Sequence, residues 1–261
     1  MVMEKQLRVL VIGSTPYIID AQARCLRQYN DMDTVISFSQ LRKGEGHYTG
    51  SFNRTGKWIS PGDPLKDPLL EVILPERLLQ EAGQLTNLDK ADLNTLSHHK
   101  DWGFYMGDEE TALRFSGKLP HIELAGSDFT VDWRLKELRE TNEPWNRIQL
   151  DGLEMSDSGE HYLCFYDTDA HETINDISEI LARPEKVVLL EIPYEVALDP
   201  VAVAREYGIG DIELLPEHPV KMYQKAKVTA LSAEMTSRIT LLQHSSGKRA
   251  EGWERPDQNE R

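Results

Sequence analysis

The chain has 261 residues, and its 44 acidic residues outnumber its 29 basic ones, which gives a formal net charge of −15. This composition excludes collagens, coiled-coil rods and disulfide scaffolds, and no apolar run approaches the ~20 residues of a transmembrane helix. The negative charge also disfavours nucleic-acid binding outside a separate basic patch.

Residues 1–41 predict an N-terminal α/β segment. Residues 7–12 are a β-rich run that ends at Gly13, residues 18–29 carry apolar side chains at helical spacing, and residues 33–38 form a second short strand. The turn at Gly13 lies where α/β sheets bind phosphate, but the glycine-rich fingerprints of such sites are missing. A plain turn is therefore the alternative.

Residues 42–68 are rich in glycine and proline and lack apolar periodicity, which predicts a long mobile loop. Basic residues reverse the global charge here, and aromatic residues are interleaved with them. This combination can bind single-stranded nucleic acid through charge and stacking. The alternative is a loop whose aromatic side chains pack on the core. The ligand-binding candidates are Lys43, His47, Tyr48, Arg54, Lys57 and Trp58.

Residues 69–118 predict a helical connection, and residues 119–221 predict a central α+β module. The strongest local pattern in the module is a short helix that follows Asp199. Asp199 suits the N-cap, Pro200 suits the first helical position, and Gly208 suits the left-handed position after the helix.

Residues 222–243 predict a C-terminal helix, because Val228, Leu231, Met235, Ile239 and Leu242 form one apolar stripe at helical spacing. The stripe packs on its own domain, on a partner or on a second copy, so residues 228–242 are a candidate homodimer contact. Residues 244–261 are polar and predict a disordered tail. The complete pattern predicts an α+β fold with mixed sheets, packed helices, a long C-terminal helix and a disordered tail.

Part of the module resembles a known group of sequences. The shared residues are turn, cap and core types: Leu119, Pro120, Ile122, Gly126, Phe129, Val131, Asp132, Leu138, Arg139, Pro144, Asn146, Ile148, Tyr166, Asp167, Leu198, Asp199, Pro200, Tyr207 and Gly208. In these positions, residues 119–208 resemble a module of uncharacterised bacterial proteins carried on mobile genetic elements. The resemblance implies bacterial origin and one continuous α+β unit, and it implies no catalytic residue.

Residues 151–182 are the most unusual stretch, with nine acidic residues and no Lys or Arg. Asp167, Asp169 and His171 alternate within it, so an extended segment would present them on one side as ligands for a divalent metal. Glu172 could then serve as the base of a metal-assisted hydrolytic site. The alternatives are a solvated polar turn and an acidic surface that binds a partner.

Three functional hypotheses follow. The first is a non-enzymatic accessory protein without a cofactor, which binds a protein partner, a basic one being the natural complement. The second is a metal-dependent hydrolase that uses the Asp167, Asp169 and His171 cluster. The third is a nucleic-acid or nucleotide binder that uses residues 42–60. Cys25 and Cys164 have apolar neighbours and the N-terminus lacks an apolar leader, so we expect buried thiols and a cytoplasmic protein.

Overall fold

The computed structural model describes residues 8–59, 69–80 and 85–237. The chain divides into two compact units. The first unit contains residues 1–121, 131–135 and 195–224, and the second contains residues 122–130, 136–194 and 225–261.

The elements are numbered in chain order. The strands are β1 (Val9–Ile12), β2 (Thr15–Asp20), β3 (Cys25–Gln28), β4 (Asp31–Ser37), β5 (Arg42–Lys43), β6 (His47–Phe52), β7 (Leu70–Pro75), β8 (Phe104–Gly107), β9 (His121–Leu124), β10 (Ser127–Asp132), β11 (Glu137–Glu140), β12 (Arg147–Gln149), β13 (Glu154–Met155), β14 (His161–Asp167), β15 (Glu172–Ile174), β16 (Val187–Pro193), β17 (Tyr223–Lys225) and β18 (Lys227–Ala230). The helices are α1 (Glu76–Gln80), α2 (Asn87–His99), α3 (Glu109–Phe115), α4 (Ile177–Ala182), α5 (Glu195–Leu198) and α6 (Pro200–Glu206), with 3₁₀ turns at Phe38–Gln40 and Trp133–Leu135.

The first unit is built on a five-stranded sheet in the order β4-β3-β2-β1-β8. Strand β1 is completely buried, which agrees with its prediction from the sequence. Because side chains alternate along a strand, Leu10 and Ile12 join the hydrophobic core on one face. Val9 and Val11 join the core on the other face together with Val201, so the two ends of the unit share a core.

The predicted helix over residues 18–29 is wrong, because this segment forms the second half of β2 and all of β3. A tight turn joins the two strands, and the Asp20 carboxylate accepts the backbone N–H of Ala23 at 2.8 Å. The apolar residues also fit a period of two, since Tyr17 and Ile19 are buried on β2. Pairing with β1 therefore decides between two patterns that the spacing allows.

The segment predicted as a mobile loop over 42–68 contains two strands. β5, β6 and β7 form a three-stranded antiparallel sheet, so residues 42–52 are a β-hairpin. The following turn docks on β1 and β2, because Tyr17 donates a hydrogen bond to the carbonyl of Gly56 at 2.7 Å. Residues 60–68 lie outside the described part of the chain.

Residues 69–118 contain strands β7 and β8 as well as three helices, so the prediction of a helical connection is incomplete. Helix α2 completes the hydrogen bonding of β8 with two buried side chains. Asn94 both accepts from and donates to the backbone of Met106, at 2.6 and 2.9 Å. Ser97 donates to the carbonyl of Phe104 at 2.6 Å.

Residues 195–224 belong to the first unit, so the predicted continuous module over 119–221 needs correction. Its strongest local pattern is nevertheless confirmed. Asp199 caps α6 and accepts the N–H of Ala202 at 3.1 Å, Pro200 begins the helix, and Gly208 has a φ of 69°. The contacts of the side chains after the cap, which the sequence does not show, assign α6 to the first unit.

The second unit contains most of a sheet in the order β12-β11-β10-β9-β17 and a second sheet in the order β13-β14-β16-β18. Strand β15 pairs with β14 along the same edge as β13. The rings of Phe129 and Tyr166 meet edge to face with centroids 6.5 Å apart. Sheets and helices are therefore both present, as the α+β prediction requires.

The long C-terminal helix predicted over 222–243 is not supported, since within its described part only residues 233–237 are helical. Residues of its first half form β17 and β18, and β18 pairs with β16 through four residues. Val228 and Thr229 are β-branched and suit this strand. Residues 238–243 and the predicted disordered tail over 244–261 lie outside the described residues.

Candidate functional site

Asp167 ends strand β14 and is anchored inside the fold, with a side chain only 1% exposed. Its Oδ1 atom accepts the backbone N–H groups of Asp169 and Ala170 at 2.8 and 3.1 Å, and Oδ2 lies 2.9 Å from Arg183 Nη2. Burial favours a higher pKa for Asp167, but the two N–H donors, Arg183 and Lys186 outweigh it and lower the pKa below its ordinary value. The Asp167 carboxylate therefore stabilises the turn that follows β14.

Asp169 lies on the same turn but has a different partner, because its carboxylate forms an exposed ion pair with the Lys186 ammonium. The hydrogen bond from this pair raises the pKa of Lys186 above its ordinary value. Exposed pairs of this kind contribute little to stability. Asp169 therefore contributes an exposed ion pair at the surface of this turn.

His171 is the third residue of the predicted cluster, and it contacts a residue that the sequence analysis missed. Its Nδ1 atom lies 2.8 Å from Glu140 Oε1 and 3.4 Å from Ser127 Oγ. The Glu140 side chain is 6% exposed, and its other oxygen accepts from Asn146 at 2.9 Å. The backbone of His171 has a φ of 59°, which is uncommon for a residue with a Cβ.

The Glu140 and His171 pair has part of the geometry of a general base, because a carboxylate on Nδ1 fixes the imidazole tautomer. Catalysis would also need a nucleophile or substrate at Nε2. Within the ranges that the structure describes, no side chain forms a hydrogen bond with that atom. The pair alone supports no assignment of a reaction.

The three predicted metal ligands do not converge, because Asp167, Asp169 and His171 each face a different partner. Glu172 is exposed on β15, opposite Asp167 in the strand register. Across the described segments, no group of three or more His, Cys, Asp or Glu side chains could hold a metal ion. The geometry therefore gives no support to the metal-dependent hydrolase hypothesis.

The acidic stretch contains a hairpin of unpaired carboxylates, which we call the acidic hairpin (residues 151–160). Strand β13 pairs with β14, and the turn between them closes through Gly159, whose φ is 73°. Met155 is 42% exposed on this hairpin. Its four carboxylates are exposed and form no ion pair with any described residue: Asp151, Glu154, Asp157 and Glu160.

The β5 and β6 hairpin places the ligand candidates of residues 42–60 in different environments. Tyr48 is 4% exposed and faces the core. The Lys43 ammonium pairs with Glu76 at 3.0 Å and lies 5.8 Å from the centre of the Tyr48 ring. Trp58 packs against the same core. The aromatic side chains therefore do not form an exposed stacking surface.

The remaining candidates of this segment lie at its edges. His47 Nδ1 lies 2.8 Å from the carbonyl of Glu45, which holds the ring against its own turn. Arg54 and Lys57 are exposed in the turn that docks on β1 and β2, and neither has an ion-pair partner among the described residues. The predicted basic and aromatic site is therefore not assembled in one place.

A groove beside the β5 and β6 hairpin brings two of the candidates together with residues that the sequence analysis missed. It has a volume of about 490 Å³. Its apolar floor includes Phe38 and Leu41, and its rim carries Arg24. The other lining residues are Ala23, Ser37, Ser39, Lys43 and Tyr48. We call this feature the Arg24 groove.

Two adjacent histidines lie at the end of α2. His98 lies in the last turn of α2, with Nε2 3.3 Å from Glu213 Oε2, and both side chains are nearly half exposed. The rings of His98 and His99 lie 6.0 Å apart, centroid to centroid. Among the described residues, the two histidines belong to no group of side chains that could hold a metal ion.

None of the helices in the described ranges combines the length and apolar character that crossing a bilayer requires. Comparison with protein-family models, curated proteins and solved structures finds no match to this chain, so the resemblance of residues 119–208 to bacterial mobile-element modules stays a prediction.

Proposed function

We propose that this chain is a non-enzymatic accessory protein whose acidic hairpin binds a basic region of a partner protein. The observation that carries the proposal is the grouping of four exposed carboxylates on one hairpin, none of which forms an ion pair with a described residue. Such a surface attracts a cationic partner over a distance close to the Debye length.

Two other exposed carboxylates of the second unit are neutralised by neighbouring lysines, unlike those of the acidic hairpin. Glu123 pairs with Lys225 at 2.7 Å, and Asp169 pairs with Lys186. The acidic hairpin has no such compensation among the described residues. With a net charge of −15 for the chain, it presents a negative potential that steers association.

An apolar anchor accompanies the charges. Met155 lies on the two-residue edge strand β13, and the hairpin exposes it between carboxylates. Methionine is enriched at protein interfaces, and its flexible thioether adapts to different partner surfaces. A basic segment with an apolar side chain therefore complements the hairpin in both respects.

We extend the proposal to a bacterial cytoplasm, with no cofactor. Support comes from two cysteines that are free and buried, as in proteins of a reducing compartment, and from the resemblance of residues 119–208. Self-association through residues 228–242 stays a prediction, because only part of that range is described.

The test removes the hairpin charges without changing residue size. One variant combines Asp151→Asn, Glu154→Gln, Asp157→Asn and Glu160→Gln. A matched control combines Asp33→Asn, Glu45→Gln, Asp92→Asn and Glu217→Gln, which are exposed and lie in the first unit. Each variant changes the net charge from −15 to −11, so only the location of the lost charges differs.

Binding is measured by the fluorescence anisotropy of a labelled peptide that contains lysine and leucine, at low and at physiological salt. We expect the hairpin variant to bind at least ~10-fold more weakly than the native chain, and the control to stay within ~3-fold. Equal losses in both variants would assign the binding to overall charge and reject the hairpin. Absence of binding at low salt would also reject it.

A further inference from the structure

The Arg24 groove has the size and lining of a small-molecule site. Its volume of about 490 Å³ falls in the range of ~300–1,000 Å³ that is typical of ligand pockets. Phe38 and Leu41 are 4% and 6% exposed and provide an apolar floor. Apolar floors with a few convergent polar groups are characteristic of such pockets.

The rim of the groove carries an excess of positive charge. Lys43 is paired with Glu76, and the hydrogen bond of that pair raises the pKa of Lys43, an effect that the neighbouring charge of Arg24 opposes. Arg24 has no ion-pair partner among the described residues. The three charges therefore leave one uncompensated cation at the mouth of the groove.

The Tyr48 side chain provides a second observation. Tyr48 is 4% exposed and lines the groove. Its hydroxyl forms no hydrogen bond with any residue that the structure describes. This hydroxyl is therefore available to donate a hydrogen bond to a ligand oxygen in the groove.

We propose that the Arg24 groove binds a small organic oxyanion, a phosphate monoester or a carboxylate joined to a flat apolar group. The guanidinium of Arg24 presents a planar fork of donors that matches an oxyanion, and Lys43 adds a point charge. The Tyr48 hydroxyl donates to the same head group, while the apolar part rests on Phe38 and Leu41. This site lies in the first unit and is independent of the acidic hairpin.

Four probes separate the parts of the proposal: phenyl phosphate, benzoate, inorganic phosphate and benzyl alcohol. Binding to the full chain is followed by NMR shifts of the groove amides and by the rise in Tm, because a ligand of the native state stabilises it. We expect phenyl phosphate or benzoate to bind at least ~10-fold more tightly than either fragment. The tighter of these two identifies the head group.

Two variants and one control test the named residues. Arg24→Gly removes the cation at a φ of 55°, which glycine adopts without strain, and we expect ~10-fold weaker binding. Tyr48→Phe keeps the ring and should weaken binding ~3-fold or more through the lost hydroxyl. Arg54→Gln removes an equal charge elsewhere in the first unit and should change the affinity less than ~2-fold.

Several results would overturn the proposal. If benzyl alcohol binds as tightly as phenyl phosphate and benzoate, the groove does not require an oxyanion. If inorganic phosphate binds as tightly as they do, the apolar floor contributes nothing to binding. Equal weakening by Arg54→Gln would reduce the effect to long-range charge. The absence of shifts at groove amides with all four probes would leave no ligand site. Urea unfolding of each variant separates loss of binding from loss of folding.

Discussion

The Arg114 guanidinium and the Asp199 carboxylate form a doubly hydrogen-bonded ion pair inside the first unit. Arg114 Nε lies 2.9 Å from Oδ1, and Nη2 lies 2.9 Å from Oδ2. The two side chains are 5% and 0% exposed. Asp199 also caps α6 through the N–H of Ala202, so one carboxylate fastens α3 to the start of α6.

Removal of the arginine should destabilise the first unit strongly, because an ionised carboxylate stays buried without its cation. We expect Arg114→Met to lower the free energy of unfolding by about 3–5 kcal/mol, measured by urea denaturation. The control is Arg42→Met, which breaks an exposed pair with Glu71 and should cost less than ~1 kcal/mol. Similar losses in both variants would contradict the structural role of the buried pair.

The turn at Gly56 has no room for a side chain. Its φ is 75°, and a Cβ there would lie 1.7 Å from the carbonyl oxygen of Ile12. Gly46 has a φ of 70° and nothing within 4 Å of the same position. We expect Gly46→Ala to cost ~1–2 kcal/mol through the backbone alone, and Gly56→Ala to cost clearly more. Chemical denaturation compares the two, and equal costs would show that the turn does not dock on β1.

The sequence predicts elements well where the local chemistry has one solution. The cap at Asp199, the proline after it and Gly208 all serve the same short helix, and α6 forms with these bounds. The β-branched and leucine run before Pro193 is likewise typical of a strand, and it forms β16. In both cases the decisive interactions lie within a few residues.

The prediction of secondary structure fails where the spacing of apolar residues fits both the helical period and the strand period of two. Residues 18–29 carry apolar side chains at helical intervals but form strands through hairpin pairing with β1, and residues 227–230, at the start of the predicted C-terminal stripe, form a strand that pairs with β16. Tertiary pairing outweighs a weak local preference. Single-sequence periodicity therefore cannot decide these segments.

The candidate sites show the same division between features that local sequence decides and features that depend on distant residues. Exposure of the acidic hairpin follows from its composition, whereas the partners of the predicted metal ligands are distant in sequence. Glu140 lies 31 residues from His171, and Arg183 comes from the end of α4. Arg24 was missed because its segment was predicted to be helical, which hides the turn that presents it.

The pKa of Asp167 gives the second unit a defined dependence on pH. Because the folded pKa lies below the ordinary value of 3.8, the ionised carboxylate stabilises the fold above that value, and this stabilisation is lost as pH falls through the folded pKa. We expect Asp167→Asn to lower the free energy of unfolding by ~1–3 kcal/mol near neutral pH. The difference from the native chain should shrink in acid.

The control for Asp167 is Asp169→Asn, which affects an exposed carboxylate of the same turn. Its effect should be small at every pH. Urea denaturation across the acidic range measures both variants. A loss for Asp167→Asn that stays constant into strong acid would show that the ionised form contributes nothing.

Neither cysteine should react in the folded protein. Burial raises the pKa of Cys164 to about 12 and also raises the pKa of Cys25, and both thiols are buried. At a pH of about 8 only ~1 in 10,000 Cys164 thiols would be ionised, and the thiolate is the reactive form.

We therefore expect the native chain to react with DTNB only at the rate of its opening, and the chain in denaturant to titrate two thiols at once. Cys164→Ser serves as the control and should leave one thiol in denaturant. Rapid reaction of one thiol without denaturant would contradict burial of that strand. Loss of this fast phase in Cys164→Ser would locate the opening at β14, and its persistence would locate it at β3.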